Sequence, residues 1–530
     1  MLGGQPIIIL KENVERNRGQ EAQRSNIAAA KAIASAVRTT LGPRGMDKML
    51  VSGTGDVTIT NDGATILTDI AVQHPGAKMV IEVARAQDDE VGDGTTTAVV
   101  LVGSLMEQAE HLIAKKIHPT VIAQGYRMGM EKALEIISDL SISIDSYDRD
   151  ILLKIADTAM TGKSIESVKK KLDGIVVDAV MLVAEKKDGK VMVDDDHITI
   201  KKQAGHAMDD AELVQGIVID KTRFAEDMPR KVTGAKVALV ASPMEIVKTQ
   251  VKAKIKISSS DQISAFSAQE REALKKLADT VIESGANVLF CQKGIADAVG
   301  YYLARAGVLA VEDVPEKDIK FAALALNAEI VNKPGELTKK SLGTAAMVEQ
   351  VDNADLIKVS GCKNPKAVTI LLRGSTEYLL DELERAVVDG TRVVEDAMED
   401  GKLLVGGGAV ETELLMKLHE YAGTVGGRVQ LAIEAYAASF EIIPTTLAEN
   451  SGFNQIDKLV ELKAAHAKGK KHAGLNVYTG KIIDMFKEGV VEPHRSKRQS
   501  IQSSAEAAVL LLRVDDMMIT QEKSPGSAGA

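Results

Sequence analysis

The 530-residue chain has no tryptophan, and aromatic residues make up only 3% of it. Its cores must be filled by Ala, Val, Ile, Leu and Met, a composition that favours closely packed helices. Cysteine occurs twice, at Cys291 and Cys362. Two isolated thiols cannot build a disulfide framework or a thiolate metal site, which suits a reducing compartment. The 9 histidines form no HExxH or comparable pair. No apolar run is long enough to span a bilayer. The stretch Met1 to Leu10 has an apolar patch without a basic segment before it or an extended apolar core, so it does not read as a signal peptide. A cytoplasmic protein with no membrane partner is expected. With 65 basic against 75 acidic side chains and a net charge of -10, the chain lacks the basic footprint of a nucleic-acid binder. Two short basic clusters, Lys468-Gly469-Lys470-Lys471 and Arg495-Ser496-Lys497-Arg498, read as solvated surface.

What the chain does have is length and apolar mass. Hydrophobic residues make up 45% and charged residues 26%, the profile of a globular protein with large cores. A single core stops growing near about 250 residues, so several domains are expected. Ile27, Ala30, Ala34, Val37 and Leu41 keep a helical spacing that Gly42-Pro43 ends. Two β-rich runs, Met49 to Val51 and Val57 to Thr60, flank a glycine-containing loop and read as a hairpin. Beyond Gly94, apolar residues on several faces predict a helix buried nearly all round, ending before Pro119, and a second helix runs from Thr120 to Leu140. The middle third alternates β-rich runs with helical stretches, an α/β layer. There Ser258 to Asp261 can cap a helix carrying Ile263, Phe266, Ala273, Leu277 and Val281. Ala-rich helices return in the last third.

Gly92-Asp93-Gly94-Thr95-Thr96-Thr97 carries the clearest chemistry. A glycine-bearing turn leading into a helix offers unpaired N–H groups and a partial positive charge to an anion. The three threonines can cap the helix and donate hydroxyl hydrogen bonds. Asp93 stands where a carboxylate could hold Mg²⁺ against phosphates, since Mg²⁺ takes one or two carboxylates plus phosphate oxygens. The bland alternative is an N-capped turn with a solvent-facing Asp. Asn61-Asp62-Gly63-Ala64-Thr65 repeats the Asp-Gly-small-Thr arrangement, and Asp62 is either a turn residue or a group that orients water. Leu41-Gly42-Pro43 can add a backbone edge or merely stop a helix, and Gly406-Gly407-Gly408 lets an adenine ring or a neighbouring helix approach. There is no GxxxxGK[ST], hence no P-loop.

Thr39 to Met49, the Asn61 to Thr65 turn, Gly92 to Ala98, the glycine triplet and Val490-Val491-Glu492-Pro493 together resemble the signature strings of group II chaperonins, the thermosome type, in that family's order and spacing. The resemblance runs from about Gln5 to Thr520. It implies a multidomain α/β and α fold with three domains. A mostly helical equatorial ATPase domain would comprise 1–147 and 405–530, with a disordered tail from about 522. A small α/β intermediate domain would comprise 148–216 and 368–404, and an α/β apical domain 217–367, its helical protrusion, a built-in lid, at about 244–283. It also implies ATP and Mg²⁺ as cofactors, non-native proteins as substrates, and two stacked rings of self or sister subunits.

Carried over residue by residue, Asp93 would bind Mg²⁺ and Asp62 would orient the attacking water. The third family carboxylate falls on Asp389, twelve residues before Gly401, with Gly390 beside it where the family usually has Ala. By sequence logic alone Asp381, Asp396 or Asp400 would serve as well. Leu41, Gly42, Pro43, Gly94, Thr95, Thr96 and Thr97 would line the phosphates, and Gly407, Gly408 and Glu492 the adenosine end. Asn476 stands there where Asp is usual, and Lys163 would sense the terminal phosphate. The runs Pro6 to Leu10 and Asp516 to Thr520 would pair with the Met49 to Thr60 hairpin of a neighbouring subunit. Two rival functions remain: an actin-like or sugar-kinase ATPase, whose phosphate turns lie in separate halves of the chain, and a ring subunit that binds nucleotide without turnover.

Overall fold

The computed structural model describes residues 14–162, 168–246, 260–351, 354–363 and 365–520. Lys163, the run Pro6 to Leu10, Ser258-Ser259, the tail from 522 and part of the expected protrusion lie outside the described residues. The chain forms two compact units, one of Met1–Lys169 with Arg385–Ala530 and the other of Lys170–Glu384.

In the first unit the first and last described segments meet. Strand β1 (Val14–Arg18) pairs antiparallel with Asp516–Thr520, so one edge of that C-terminal strand is taken within the chain. Helix α1 (Gln20–Arg38) begins earlier than its apolar spacing suggests and leads through the Gly42-Pro43 turn into the hairpin of β2 (Lys48–Val51) and β3 (Val57–Thr60). There follow α2 (Gly63–Asp69), α3 (Pro75–Val91), α4 (Thr95–Ala114), α5 (Pro119–Leu140), the short β4 (Ile142–Ser143) and α6 (Arg149–Met160). Buried positions on α4 run consecutively from Ala98 to Met106, as expected of a central helix. Small residues set its spacing: a Cβ on Gly103 would meet Ala34 of α1. Three aromatics cluster in this unit, with Tyr126 of α5 5.6 Å from Tyr436 and Tyr436 5.4 Å from Phe440, ring centre to ring centre.

The second unit is an α/β layer. Its main sheet runs in the order Leu309–Val311, Val288–Cys291, Lys231–Val240, Gly343–Gln350, Ile357–Cys362, Ile217–Ile219. Alternate residues of Lys231–Val240 serve opposite faces, Val237 and Leu239 one core, Ala238 and Val240 the other. Helix Ser260–Glu283 packs its C-terminal part into the second core through Leu277 and Val281, while Ala268 to Ala273 are exposed. Cys291 and Cys362 are buried free thiols, and burial pushes both up to about 11. They are kept unreactive rather than poised. Among the described residues no helix is long and apolar enough to cross a membrane.

Candidate active site

A cavity of about 440 Å³ in the first unit gathers the loops singled out in the sequence. Its lining includes Leu41, Gly42, Pro43, Asp62, Asp93, Gly94, Thr95, Thr96, Thr97, Asp389, Gly407, Gly408, Asn476 and Glu492.

The phosphate-suited end is built from two strand-to-helix and helix-to-helix turns packed on each other. Asp62 is the N-cap of α2, accepting from the Thr65 N–H through Oδ2 at 2.7 Å, and its Oδ1 lies 3.4 Å from Thr95 Oγ1. Gly63 leaves no space between the turns, since a Cβ there would sit 2.6 Å from Thr96 Oγ1 and 3.0 Å from Thr96 N. Gly92 (φ 75°) ends α3, and Gly94 (φ 80°) is the N-cap of α4, both left-handed. The threonines do not supply the cap as expected. The left-handed cap position is taken by Gly94, which has no side chain to bond, so among the described residues the first N–H groups of α4 keep no side-chain acceptor. That leaves donors at the positive end of the helix dipole, the arrangement an anion needs. Gln87, fully buried, donates Nε2 to the Asp93 carbonyl at 2.7 Å and to the Ser496 carbonyl at 3.2 Å. Thus the Asp93 backbone is fixed from behind.

Further edges close the cleft. Asn61 Nδ2 donates to Gly162 O at 2.6 Å, and a Cβ on Gly162 would lie 3.0 Å from Pro43 Cα, so these turns touch backbone to backbone. Strand Lys402–Val405 runs into the glycine triplet and helix Ala409–Val425. Gly407 O accepts from Leu475 N at 2.9 Å. Cβ atoms on Gly407 and Gly408 would meet Met485 and Pro444 at 2.9 Å, so neighbouring elements already need those glycines bare. Asn476 Oδ1 accepts from the N–H groups of Tyr478 and Thr479 at 3.1 and 3.0 Å, closing the hairpin of Ala473–Leu475 and Ile482–Asp484.

The four candidate carboxylates of helix Glu377–Asp400 have different surroundings. Asp389 lines the cleft. Asp396 and Asp400 are bonded to Arg495, at 2.7 and 2.5 Å, and Asp381 to Lys202 at 2.8 Å in the other unit. Gly390 has a packing reason: a Cβ there would approach Met160 of α6 at 3.3 Å. The helix runs unbroken through it.

The solvated reading of Arg495-Ser496-Lys497-Arg498 does not hold for two of its cations. Helix His494–Leu512 turns Lys497 inward, where its side chain is 7% exposed and Nζ lies 2.6 Å from Glu411 Oε1 and 3.1 Å from Glu492 Oε1. Burial opposes the lysine charge, but Glu411 and then Glu492 outweigh it and hold the ammonium above its usual range. Burial likewise raises Glu492, against the pull of Lys497. Arg495 is half-buried among Asp396, Glu399 and Asp400. Lys169 is another cleft residue that no motif announced, 2.8 Å from Asp157. A helical i, i+4 pattern is visible in sequence; contacts such as Glu411 with Lys497, 86 residues apart, are not.

The donor set fits a phosphate-bound Mg²⁺. Among the described residues no group of three or more His, Cys, Asp or Glu could hold a metal alone. A cation at Asp93 would take its other ligands from phosphate oxygens and water, as Mg²⁺ does.

The chain is similar to known proteins over nearly its whole length. The TCP-1/cpn60 chaperonin family model matches residues 33–522. Thermosome subunit beta of Archaeoglobus fulgidus is 52% identical over 532 residues, covering 100% of this chain and 98% of that protein. The thermosome subunit of Methanopyrus kandleri is 51% identical over 523 residues, 98% of this chain and 96% of the other. Thermosome subunit beta of Thermoplasma acidophilum is 48% identical, with the same coverage of 98% and 96%.

Proposed function

Because this chain belongs to the TCP-1/cpn60 chaperonin family, as a thermosome-type group II subunit with its mixed α/β fold, we propose that it is an ATP-driven protein-folding subunit. In this reading it assembles with copies or sister subunits into two stacked rings in the cytoplasm, encloses non-native proteins, and hydrolyses ATP to close the chamber. The observation that carries it is the cleft: Asp62, Asp93 and Asp389, from three separated stretches of chain, line one cavity with the free N–H end of α4.

The residues divide the work. Asp93 holds Mg²⁺, which when bound neutralises charge on the terminal phosphates. The first turn of α4, with Thr95, Thr96 and Thr97, and the Leu41-Gly42-Pro43 edge cradle the phosphate chain. Asp62 and Asp389 accept hydrogen bonds from the attacking water and align it behind the terminal phosphate. Gly407, Gly408, Asn476 and Glu492 receive the adenosine. Lys163, placed by resemblance alone, senses the terminal phosphate.

Residues 1–147 and 405–530 form the equatorial domain, 148–216 and 368–404 the intermediate domain and 217–367 the apical domain with its lid. Ring contacts use the hairpin of β2 and β3, whose Met49 and Val51 are 67% and 64% exposed. An actin-like or sugar-kinase ATPase is disfavoured because both Asp-Gly turns belong to one unit.

The decisive experiment is the double variant Asp62→Ala/Asp389→Ala. It is expected to bind ATP and to lose turnover; hydrolysis at the parent rate defeats the assignment. An ATPase assay on the parent separates this reading from a ring subunit without turnover, and electron micrographs of the particle test the stacked rings.

A further inference from the structure

Arg392 stands one helical turn beyond Asp389 on helix Glu377–Asp400, on the same face. It is half-buried, and its Nη1 donates to the Asp88 carbonyl near the end of α3 at 2.6 Å. The aliphatic stem lies over Gly92, where a Cβ would sit 2.5 Å from Arg392 Cδ and 2.9 Å from its Cβ. Gly92 immediately precedes Asp93. One side chain thus links the helix of Asp389 to the turn that carries Asp93.

Ending α3 does not require this contact. The Asp88 carbonyl already accepts from the Gly92 N–H at 2.8 Å, and Gly92 supplies the left-handed cap. Arg392 adds a second donor to that oxygen, which has two lone pairs, and the bond joins residues 304 positions apart. Gln87 of α3 holds the Asp93 carbonyl at 2.7 Å, so the end of α3 and the Asp93 backbone are one piece. The helix of Asp389 has other anchors: Gly390 packs on Met160, and Arg495 bonds Asp396, Glu399 and Asp400. Those fix the helix to α6 and to Arg495, whereas Arg392 fixes it to the turn of Asp93.

Resting on the reading of this cleft as an ATPase site, we propose that Arg392 is a positioning residue that sets where Asp389, and with it the attacking water, stands relative to the metal carboxylate Asp93. Arg392 does not line the cleft, so it acts on the hydrolysis step through Asp389 and not by holding nucleotide. In-line attack is sensitive to placement, and a shift of about 1 Å costs up to about 100-fold in rate. Without the guanidinium, Asp389 and Asp93 keep their own supports but lose the tie between them.

The test measures Mg-ATP affinity and the single-turnover hydrolysis rate at saturating Mg-ATP on the full-length assembled protein. Arg392→Met, which keeps an aliphatic stem over Gly92 and loses the donor, should bind Mg-ATP as the parent does and hydrolyse it at least about tenfold more slowly. Arg392→Lys, which keeps a donor for the Asp88 carbonyl, should recover most of the rate. In an Asp389→Ala background Arg392→Met should change the residual rate by no more than about twofold, because residues that act as a unit are not additive. Should Arg392→Met fail to assemble, Arg392→Gln, whose side chain is too short for the same reach, makes the same measurements with the same expectation. Hydrolysis at the parent rate, a loss of affinity as large as the loss of rate, or a full loss repeated in the Asp389→Ala background overturns the proposal. A parent that neither binds nor hydrolyses ATP defeats the reading of the cleft as well, whereas a parent that hydrolyses ATP beside an unimpaired Arg392→Met defeats this inference alone.

Discussion

Asp62 and Thr95 face each other across two turns, Oδ1 to Oγ1 at 3.4 Å, while the other Asp62 oxygen caps α2 at 2.7 Å from the Thr65 N–H. One carboxylate therefore serves structure with one oxygen and the cleft with the other. The bland reading of Asp62 as a turn residue and the chemical one are compatible.

The two roles separate by substitution. Asp62→Asn preserves an N-cap acceptor but not the charge, and Asp62→Ala loses both. We expect both variants to lose ATP turnover. Asp62→Ala alone should also lose about 1 kcal/mol of stability. Steady-state hydrolysis with thermal melting checks this, and an active Asp62→Asn variant refutes the role in water alignment.

Gly63 is the contact point of the two turns. Gly63→Ala inserts a methyl 2.6 Å from Thr96 Oγ1, so the first turn of α4 must move away from Asp62. Overpacking of this kind costs about 1–3 kcal/mol. Because the displaced turn is the phosphate end, the expected result is roughly tenfold weaker Mg-ATP binding, measured by calorimetric titration. Unchanged affinity would mean that the N–H groups of α4 do not contact the ligand.

Tyr126 and Tyr436 pack together, fully buried, yet differ in their hydroxyls. Tyr126 donates to the Leu105 carbonyl at 2.7 Å, and the Tyr436 hydroxyl has no hydrogen-bond partner among the described residues. Tyr126→Phe should cost about 1 kcal/mol, whereas Tyr436→Phe should be neutral or stabilising. Melting of the two variants under matched conditions decides; an equal loss in both contradicts the assignment.

The parts of the site legible in the sequence were those written in short consecutive strings. Asp-Gly turns between a strand or helix and the next helix carry their own geometry, and periodicity found α4 and α5 because each is long and richly apolar. What escaped notice was the polar interior. Gln87, Glu411 and Lys497 acquire their roles only when α3, Ala409–Val425 and His494–Leu512 pack, and a lysine within Arg495-Ser496-Lys497-Arg498 looks like any surface cation until its helix is rotated against two carboxylates. Nor did the threonine run reveal that Gly94 would take the cap position of α4. The different surroundings of Asp381, Asp389, Asp396 and Asp400 could not be read from the sequence, since all four stand on one helix and only its neighbours show that Asp381 bonds Lys202, Asp396 and Asp400 bond Arg495, and Asp389 lines the cleft.

Asp396 yields a prediction about pH. Burial pushes its carboxyl up to about 7 despite the opposing pull of Arg495, with Asp400 and Glu399 adding repulsion. The unfolded value is about 3.9, so the native state binds this proton more tightly. Its contribution to stability is full below about pH 4 and is lost as pH rises towards 7, by up to about 1.4 kcal/mol per unit. Asp396→Asn removes the titration and leaves Arg495 with Glu399 and Asp400. The lost Arg495 contact shifts stability by a constant, and His494, whose imidazole burial holds below its usual range, titrates in both proteins and cancels in the difference. The stability of the variant minus that of the parent should therefore climb between pH 5 and 7 and level off above. Urea unfolding across that range measures it, and a flat difference would show that Asp396 stays ionised beside Arg495.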